Sequence, residues 1–159
     1  MLIRIVCVGK IKEQFYTDAV AEYLKRLGRY AKIAVEEVPD EKIPDRASHA
    51  EKQIVLRKEG ARILGRIRDG DYVIALAIDG ATYDSEGFSK KIGSLQGSGK
   101  SAVSFVIGGS LGLDREVLAR ADEKLSFSAM TFPHQLMRVI LLEQIYRGFR
   151  ILNGEPYHK

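Results

Sequence analysis

The sequence predicts an α/β fold in which a mainly parallel sheet carries helices on both faces. Short apolar runs, each long enough for a buried strand, alternate along the chain with longer segments of helical periodicity. The chain has 159 residues, 45% of them hydrophobic, which is enough for one compact core and too little for two ordinary domains. Since no internal repeat or low-complexity segment interrupts the pattern, we expect a single domain over residues 1–159.

Five apolar runs have the length and composition of buried strands. They cover residues 2–8, 32–38, 72–78, 102–107 and, as a short strand, 125–127. Runs of this kind are typical of parallel strands that helices cover on both sides.

Helical patterns fill the intervals between the strands. The first helix, at about residues 13–27, repeats an apolar residue at four-residue steps, and Gly28 follows it as a stop. The second begins near Ser48, whose side chain can cap it together with Glu51, and runs to about residue 68.

Three further helices follow. Ser85 begins a short third helix, residues 114–121 form a fourth, and the longest begins at residues 131–133 and ends near residues 153–154. In this last helix, residues 136–152 are apolar almost all the way round, so the helix must be covered on more than one side. The sheet alone could cover it, but a homodimer contact is the more natural way to bury the rest.

Two glycine-rich segments imitate known ligand-binding motifs. The first, "GSGKS" at residues 97–101, ends like a phosphate-binding Walker A loop, but Ser94 stands where that motif needs a glycine. It also follows a helix and leads into a strand, which is the reverse of the order that points backbone amides at a phosphate. We therefore interpret it as an idle turn between a helix and a strand.

The second segment, "GGSLG" at residues 108–112, fits G-x-S-x-G and makes Ser110 a candidate nucleophile. A serine hydrolase also needs an acid and a histidine after the serine, and the candidates are Asp114, Asp122, His134 and His158. No HGGG-like segment is present. Two other interpretations remain: glycines at the carboxyl end of a parallel strand let the backbone approach a ligand, or a tight turn requires positive φ.

Composition bounds the partners and the compartment. A net charge of +4 and a pI near 9.2 are compatible with an RNA partner without establishing one. The single cysteine, Cys7, lies in an apolar run, so we expect it to pack in the core of a protein from a reducing cytosol.

The N-terminal apolar run is too short for a transmembrane helix and lacks a signal-peptide cleavage site, which predicts a soluble, cytoplasmic protein. One cysteine and three scattered histidines predict no metal site.

Two features of the C-terminal third suggest anion or RNA contacts. Arg138 projects among apolar residues, either as a snorkelling side chain or as an anion contact. The chain ends in "EPYHK", where Tyr157, His158 and Lys159 offer a stacking surface beside cationic donors, as an unstacked RNA base requires.

Several segments together resemble one family. "FVIGGSLGLD", "LSFSAMTFPHQLMRVILLEQIYR" and the terminal "YHK" closely resemble the ribosomal RNA large subunit methyltransferase H family, of the SPOUT class. The N-terminal "VGK" and the length match too, so the resemblance covers essentially the whole chain. It implies a homodimeric, S-adenosylmethionine-dependent enzyme that methylates N3 of a pseudouridine in 23S rRNA of the assembled ribosome. The implied fold is an α/β domain with a deep C-terminal trefoil knot.

The resemblance also implies site residues. S-adenosylmethionine is expected to contact Leu76, Gly108, Phe127, Ser128, Ala129, Met130, Thr131 and Phe132. We hypothesise that His158 or Tyr157 contacts the target base, and that Arg138 and Lys159 hold phosphates or the developing anion. His134 is more naturally structural or cofactor-adjacent than catalytic.

Two positions depart from the family pattern, and one further class of function stays open. Ala77 stands where relatives commonly have an acidic residue, so no carboxylate role is assigned there. Gly148 stands in a helix where alanine is frequent, which weakens the helix by about 1 kcal/mol unless close packing requires it.

Besides the methyltransferase and the hydrolase, a ribosome-binding module without catalysis remains an alternative.

Overall fold

Strands and helices alternate strictly along the chain, as the apolar runs predict. The computed structural model describes residues 1–157. The strands in this part of the chain are β1 (Leu2–Val8), β2 (Lys32–Val38), β3 (Asp71–Ala81), β4 (Ala102–Ile107) and β5 (Glu123–Leu125). The helices are α1 (Gln14–Leu27), α2 (His49–Leu64), α3 (Ser85–Gln96), α4 (Arg115–Arg120) and α5 (His134–Leu152).

The five strands form one parallel sheet in the order β2-β1-β4-β3-β5. Because all strands run the same way, their carboxyl ends meet at one edge of the sheet, called here the carboxyl edge, and their amino ends meet at the opposite, amino edge. Ligands of open α/β sheets bind outside the carboxyl edge, which is where a site is expected.

Alternate residues of the strands fill two separate cores, one on each face of the sheet. Ile3, Ile5 and Cys7 of β1 pack with residues of α1, α3 and α5. Val6 and Val8 point the other way and pack with residues of α2 and α4. Burial raises the pKa of the Cys7 thiol to about 12, so the predicted role of this cysteine in core packing is confirmed.

The bounds of several elements differ from the sequence-based expectation. The capping box at Ser48 is confirmed, because its hydroxyl accepts a hydrogen bond from the Glu51 amide and the Glu51 carboxylate accepts one from the Ser48 amide. Helix α2 ends four residues earlier than expected, and β3 extends to Ala81. The strand expected at residues 125–127 was placed wrongly: β5 covers Glu123–Leu125, since the Ser126 amide donates to the Ala81 carbonyl and the chain then leaves the sheet.

The end of β3 lies directly across β5. Beyond an irregularity in the pairing, Ala81 is in register with Leu125, as Leu76 is before it. Gly80 approaches the neighbouring backbone so closely that a Cβ there would lie 2.6 Å from the carbonyl carbon of Lys124. This crossing therefore requires a glycine. The trefoil knot that the resemblance implies stays a prediction.

Helix α5 is covered by the chain's own helices on two sides. It packs against α1 and α3, and every residue from 134 to 151 is at least partly buried. Where α5 meets α3, a Cβ on Gly148 would lie 2.8 Å from Cδ1 of Ile92, and the Ser89 hydroxyl donates to the Gly148 carbonyl over 2.8 Å. Close helix packing is thus the physical reason for a glycine at this position.

Candidate active site

A cavity of about 570 Å³ opens at the carboxyl edge, between the ends of β3, β4 and β5 and the start of α5. Its walls are mostly apolar side chains and glycine backbone, and of the lining residues in the described part of the chain only His134 has a titratable side chain. The lining consists of Leu76, Ala77, Ile78, Ile107, Gly108, Gly109, Ser110, Gly112, Leu125, Phe127, Ser128, Met130, Thr131, Phe132, Pro133, His134 and Met137. Volume and apolar walls suit a drug-sized organic ligand.

The cavity brings together seven of the eight residues that the resemblance assigns to the cofactor. Leu76 contributes from β3, Gly108 from the end of β4, and the others from the segment 127–132 that connects β5 to α5. Ala129 is exposed and does not line the cavity. The connecting segment is held by its own serines, since the Ser128 hydroxyl accepts from the Met130 amide over 2.9 Å and the Ser126 hydroxyl donates to the Ser128 carbonyl over 3.2 Å.

The glycines of the loop 108–112 are required by the loop itself. A Cβ on Gly108 would lie 2.5 Å from the carbonyl oxygen of Gly112, and Gly112 has φ +86°. On Gly109, a Cβ would lie 3.1 Å from Oε1 of Glu59, a buried carboxylate behind the loop. The two interpretations left open from the sequence are thus compatible: the glycines make a tight turn, and that turn presents backbone to the cavity.

Ser110 lacks the surroundings of a nucleophile. It lies at the exposed tip of a turn closed by a hydrogen bond from the Gly112 amide to the Gly109 carbonyl, and α4 begins only at Arg115. Asp114 caps that helix, accepting from the Glu116 amide over 3.4 Å. Within residues 1–157 no hydrogen bond joins Ser110 to a histidine or a carboxylate, so the geometry gives the hydrolase interpretation no support.

The other glycine-rich segment lies at the opposite edge of the sheet. Gly97 follows the last residue of α3, Gly99 has φ +73°, and the Ser101 amide donates to the Gly70 carbonyl immediately before β4. The segment is thus a turn from a helix into a strand, as predicted, and it does not line the cavity.

His134 is the first residue of α5 and is half-buried in the cavity wall. A Cβ on Gly9 would lie 3.2 Å from Cε1 of the imidazole, so the ring packs against the end of β1. Its Nδ1 is buried and has no hydrogen-bond partner among the described residues. Burial, followed by the charge of Arg138, lowers the pKa of His134, which keeps the imidazole neutral at neutral pH.

Arg138 is an internal residue, only 1% exposed, and it does not line the cavity. Its guanidinium donates to the carbonyl of Gly9 and to the carboxylate of Glu37, both over 2.6 Å. The snorkelling interpretation is therefore wrong, because a snorkelling side chain keeps its charged end in solvent and this guanidinium is buried. Sequence reasoning did not identify Glu37 as its partner; the available signal was a carboxylate at the end of an apolar strand.

Tyr157 packs on the middle of α5 and is not a lining residue of the cavity. Its hydroxyl donates to Glu143 over 3.1 Å, its ring meets Tyr146 edge-on at 5.0 Å, and the Arg147 guanidinium lies 4.6 Å from the ring centre. Burial and the bond to Glu143 raise the pKa of Tyr157 to about 12, so its hydroxyl is protonated at neutral pH. His158 and Lys159 lie outside the described residues.

Comparison with known proteins identifies the family. The profile described as "Predicted SPOUT methyltransferase" matches residues 1–158. Proteins named ribosomal RNA large subunit methyltransferase H from Clostridium kluyveri and Enterococcus faecalis are 58% and 57% identical to the chain, over all of both sequences. The chain belongs to the ribosomal RNA large subunit methyltransferase H family. A solved structure, a probable methylase family protein from Haemophilus influenzae, shares the fold at 14% identity with a TM-score of 0.53, covering 99% of this chain and 70% of the other.

SPOUT methyltransferases in general use S-adenosylmethionine, and the cavity fits that molecule. It carries a sulfonium and an adenine but no phosphate, so it needs apolar walls and backbone contacts rather than a phosphate loop. Among residues 1–157 no lysine or arginine lines the cavity, and the neutral His134 adds no positive charge that would repel a sulfonium. Within residues 1–157 no group of three potential ligands is placed to hold a metal ion, and no helix there could span a membrane.

Proposed function

We propose that this chain transfers a methyl group from S-adenosylmethionine to N3 of a pseudouridine in 23S rRNA of the assembled ribosome, in the cytoplasm. The observation that carries the proposal is full-length identity of 57–58% to proteins named ribosomal RNA large subunit methyltransferase H. The cavity supports it, because predicted cofactor residues from segments far apart in the sequence line one space.

The cavity residues bind and orient the cofactor. The Gly108–Gly112 loop and the segment 127–132 offer backbone groups, while Leu76 and Leu125 close the apolar floor at the strand ends. Ala129, exposed and outside the lining, is proposed to contribute through its backbone in that segment. When bound, S-adenosylmethionine supplies an electrophilic methyl group on its sulfonium sulfur. Methyl transfer is an in-line displacement, so fixing the acceptor nitrogen against that methyl group accounts for much of the rate.

The acceptor nitrogen carries a proton, which must pass to water or another base as the bond between that nitrogen and the methyl carbon forms and the bond from the methyl carbon to sulfur breaks. We assign contact with the target base to Tyr157 or His158, and contact with phosphates or the developing anion to Lys159. Tyr157 keeps its proton at neutral pH, so its hydroxyl, once released from Glu143, can donate a hydrogen bond that stabilises a developing anion. The Arg138 guanidinium has both terminal nitrogens occupied inside the protein, so its contribution is through positioning.

The position of Tyr157 supports the proposal of a homodimer. In one chain the residue packs on the middle of α5, beside Tyr146, and does not meet the cavity. The cavity rim also exposes two large apolar side chains, Ile78 and Met130, which are 64% and 74% exposed. We propose that a second copy covers such surface and brings its terminal residues to this cavity.

The test is transfer of labelled methyl from S-adenosylmethionine to ribosomes from a strain that lacks the enzyme, followed by nucleoside analysis. Label in N3-methylpseudouridine of 23S rRNA is the expected result. Label in another nucleoside would contradict the proposed substrate. No label together with no cofactor binding would contradict the proposed methyltransferase activity.

The terminal residues are tested in the same assay. Deleting residues 157–159 should abolish transfer while cofactor binding, measured by calorimetry, stays within about twofold. Tyr157→Phe, which keeps the ring on Tyr146 and loses only the hydroxyl, separates the contribution of that hydroxyl from that of the ring and the last two residues. Wild-type transfer by the deletion variant would remove the assigned role.

A further inference from the structure

The connection between β1 and α1 is fixed by three separate contacts, two to the start of α5 and one to Glu37 of β2. Arg138 holds the Gly9 carbonyl, Glu37 accepts from the Ile11 amide over 3.2 Å, and the Gln135 side chain accepts from the Lys12 amide over 2.9 Å. Such short connections are often mobile, yet here three of the four residues 9–12 are each held by a side chain of β2 or α5.

Arg138 is central to this arrangement because its buried guanidinium pairs with the partly exposed carboxylate of Glu37. Its second terminal nitrogen lies 2.6 Å from Glu37 Oε2, the same oxygen that accepts from the Ile11 amide. One carboxylate therefore joins α5 to the connection through two hydrogen bonds. Removing the guanidinium would leave the Gly9 carbonyl and the Glu37 carboxylate unpaired, so the connection would lose its fixed position.

The fixed connection borders the cavity and carries two uncommitted cations. Gly9 packs against His134, which lines the cavity, so Lys10 and Lys12 lie beside the cavity rim. Both lysines are exposed, and neither forms an ion pair within residues 1–157. Asp40 also lies beside Gly9, and Glu37 is already neutralised by Arg138.

We infer that Lys10 and Lys12 form a phosphate-binding edge for the RNA substrate, which Arg138 holds in place beside the cavity. This inference rests on the proposed function for the identity of the RNA. Ammonium groups bind phosphates as point charges, and a rigid backbone lowers the entropy lost when they do. Lys10 and Lys12 would thus position the RNA backbone, while the cavity and the chain terminus act on the base.

The variant that tests this edge is Lys10→Gln with Lys12→Gln, compared with Lys52→Gln and Lys58→Gln. The control pair removes the same charge from exposed lysines of α2, away from the cavity lining. The first pair should raise the KM for ribosomes by about tenfold and lower the slope of log affinity against log salt by about 1.4 to 1.8. The kcat and the affinity for S-adenosylmethionine should not change.

Arg138→Lys tests the positioning role, because an ammonium cannot bond the Gly9 carbonyl and Glu37 with the guanidinium's geometry. It should raise the KM for ribosomes and speed hydrogen exchange at the amides of Ile11 and Lys12, with little change in cofactor affinity. Unchanged exchange would overturn that role.

The outcomes separate this inference from the proposed function. If wild type methylates ribosomes and both double variants give the same KM and salt slope, the phosphate-binding role of Lys10 and Lys12 is contradicted and the proposed function stands. A raised KM with an unchanged salt slope also contradicts that role, since the partner would then be ribosomal protein rather than phosphate. Ribosome binding is measured in parallel by co-sedimentation. Binding that depends on Lys10 and Lys12, without any methylation, would support their phosphate-binding role and contradict the proposed reaction. The absence of ribosome binding would contradict both the phosphate-binding role and the proposed reaction.

Discussion

The two ends of β4 carry similar glycine-rich sequences and have opposite characters. Before the strand, residues 97–101 form a turn beside a buried ionic network, in which Asp71 accepts from Arg4 and from the Ser104 hydroxyl. After the strand, residues 108–112 form the wall of an open, neutral cavity. The amino side of the sheet thus holds buried charges in pairs for stability, whereas the carboxyl edge keeps charge out of a space that a ligand can enter.

Asp71→Ala should have the largest effect and should act on stability alone. It removes the buried carboxylate that Arg4 pairs with and leaves the partly exposed Glu36, 3.1 Å away, and the neutral Ser104 hydroxyl, so the free energy of unfolding should fall by about 3 kcal/mol. Denaturant unfolding measures this change. Calorimetry on the folded variant should show unchanged affinity for S-adenosylmethionine, and weaker binding would mean that the two ends are coupled.

Gly108→Ala should affect both stability and binding. The new Cβ would lie 2.5 Å from the Gly112 carbonyl, so the loop must move, at a cost of about 2 kcal/mol in the free energy of unfolding. Because the loop is a wall of the cavity, affinity for S-adenosylmethionine should fall by about tenfold. A destabilised variant with wild-type affinity would show that the loop does not contact the cofactor.

His134 should make stability depend on pH at the carboxyl edge. The pKa of His134 is lowered in the folded chain, so its stabilising contribution is present above the unfolded pKa, ~6.5, and is lost as pH falls through the lower folded value. Comparing urea unfolding of wild type and His134→Gln from pH 8 to 5 isolates this contribution. The difference between the two proteins should change below about pH 6.5; parallel curves would contradict the burial argument.

Gly97→Ala should have the smallest effect. Its φ is −86°, and the nearest atom to an added Cβ is the Ser94 carbonyl oxygen at 3.9 Å. The free energy of unfolding and the cofactor affinity should stay within about 0.5 kcal/mol of wild type. A larger loss of affinity would give this turn a role in binding that its position at the amino edge does not suggest.

Sequence reasoning placed most of the fold because the relevant signals are local. Four of the five strands follow directly from continuous apolar runs, and the start of α2 follows from the Ser48 capping box. It misplaced β5, because a three-residue strand on the edge of a sheet is defined by its hydrogen bonds to β3 rather than by its composition. Site residues were predicted through family resemblance, since apolar and glycine residues carry no chemical signature of their own.

The sequence by itself determined the alternation of strands and helices, the need for glycine at tight turns and the family to which the chain belongs. Only the tertiary structure decided that Leu76, Gly108 and the segment 127–132 share one cavity, and that Arg138 is an internal clamp on Gly9 and Glu37. The physical reason is that periodicity reports which side of an element is buried. The partners of a buried charge and the walls of a cavity come from segments far apart in the chain, and folding alone brings them together.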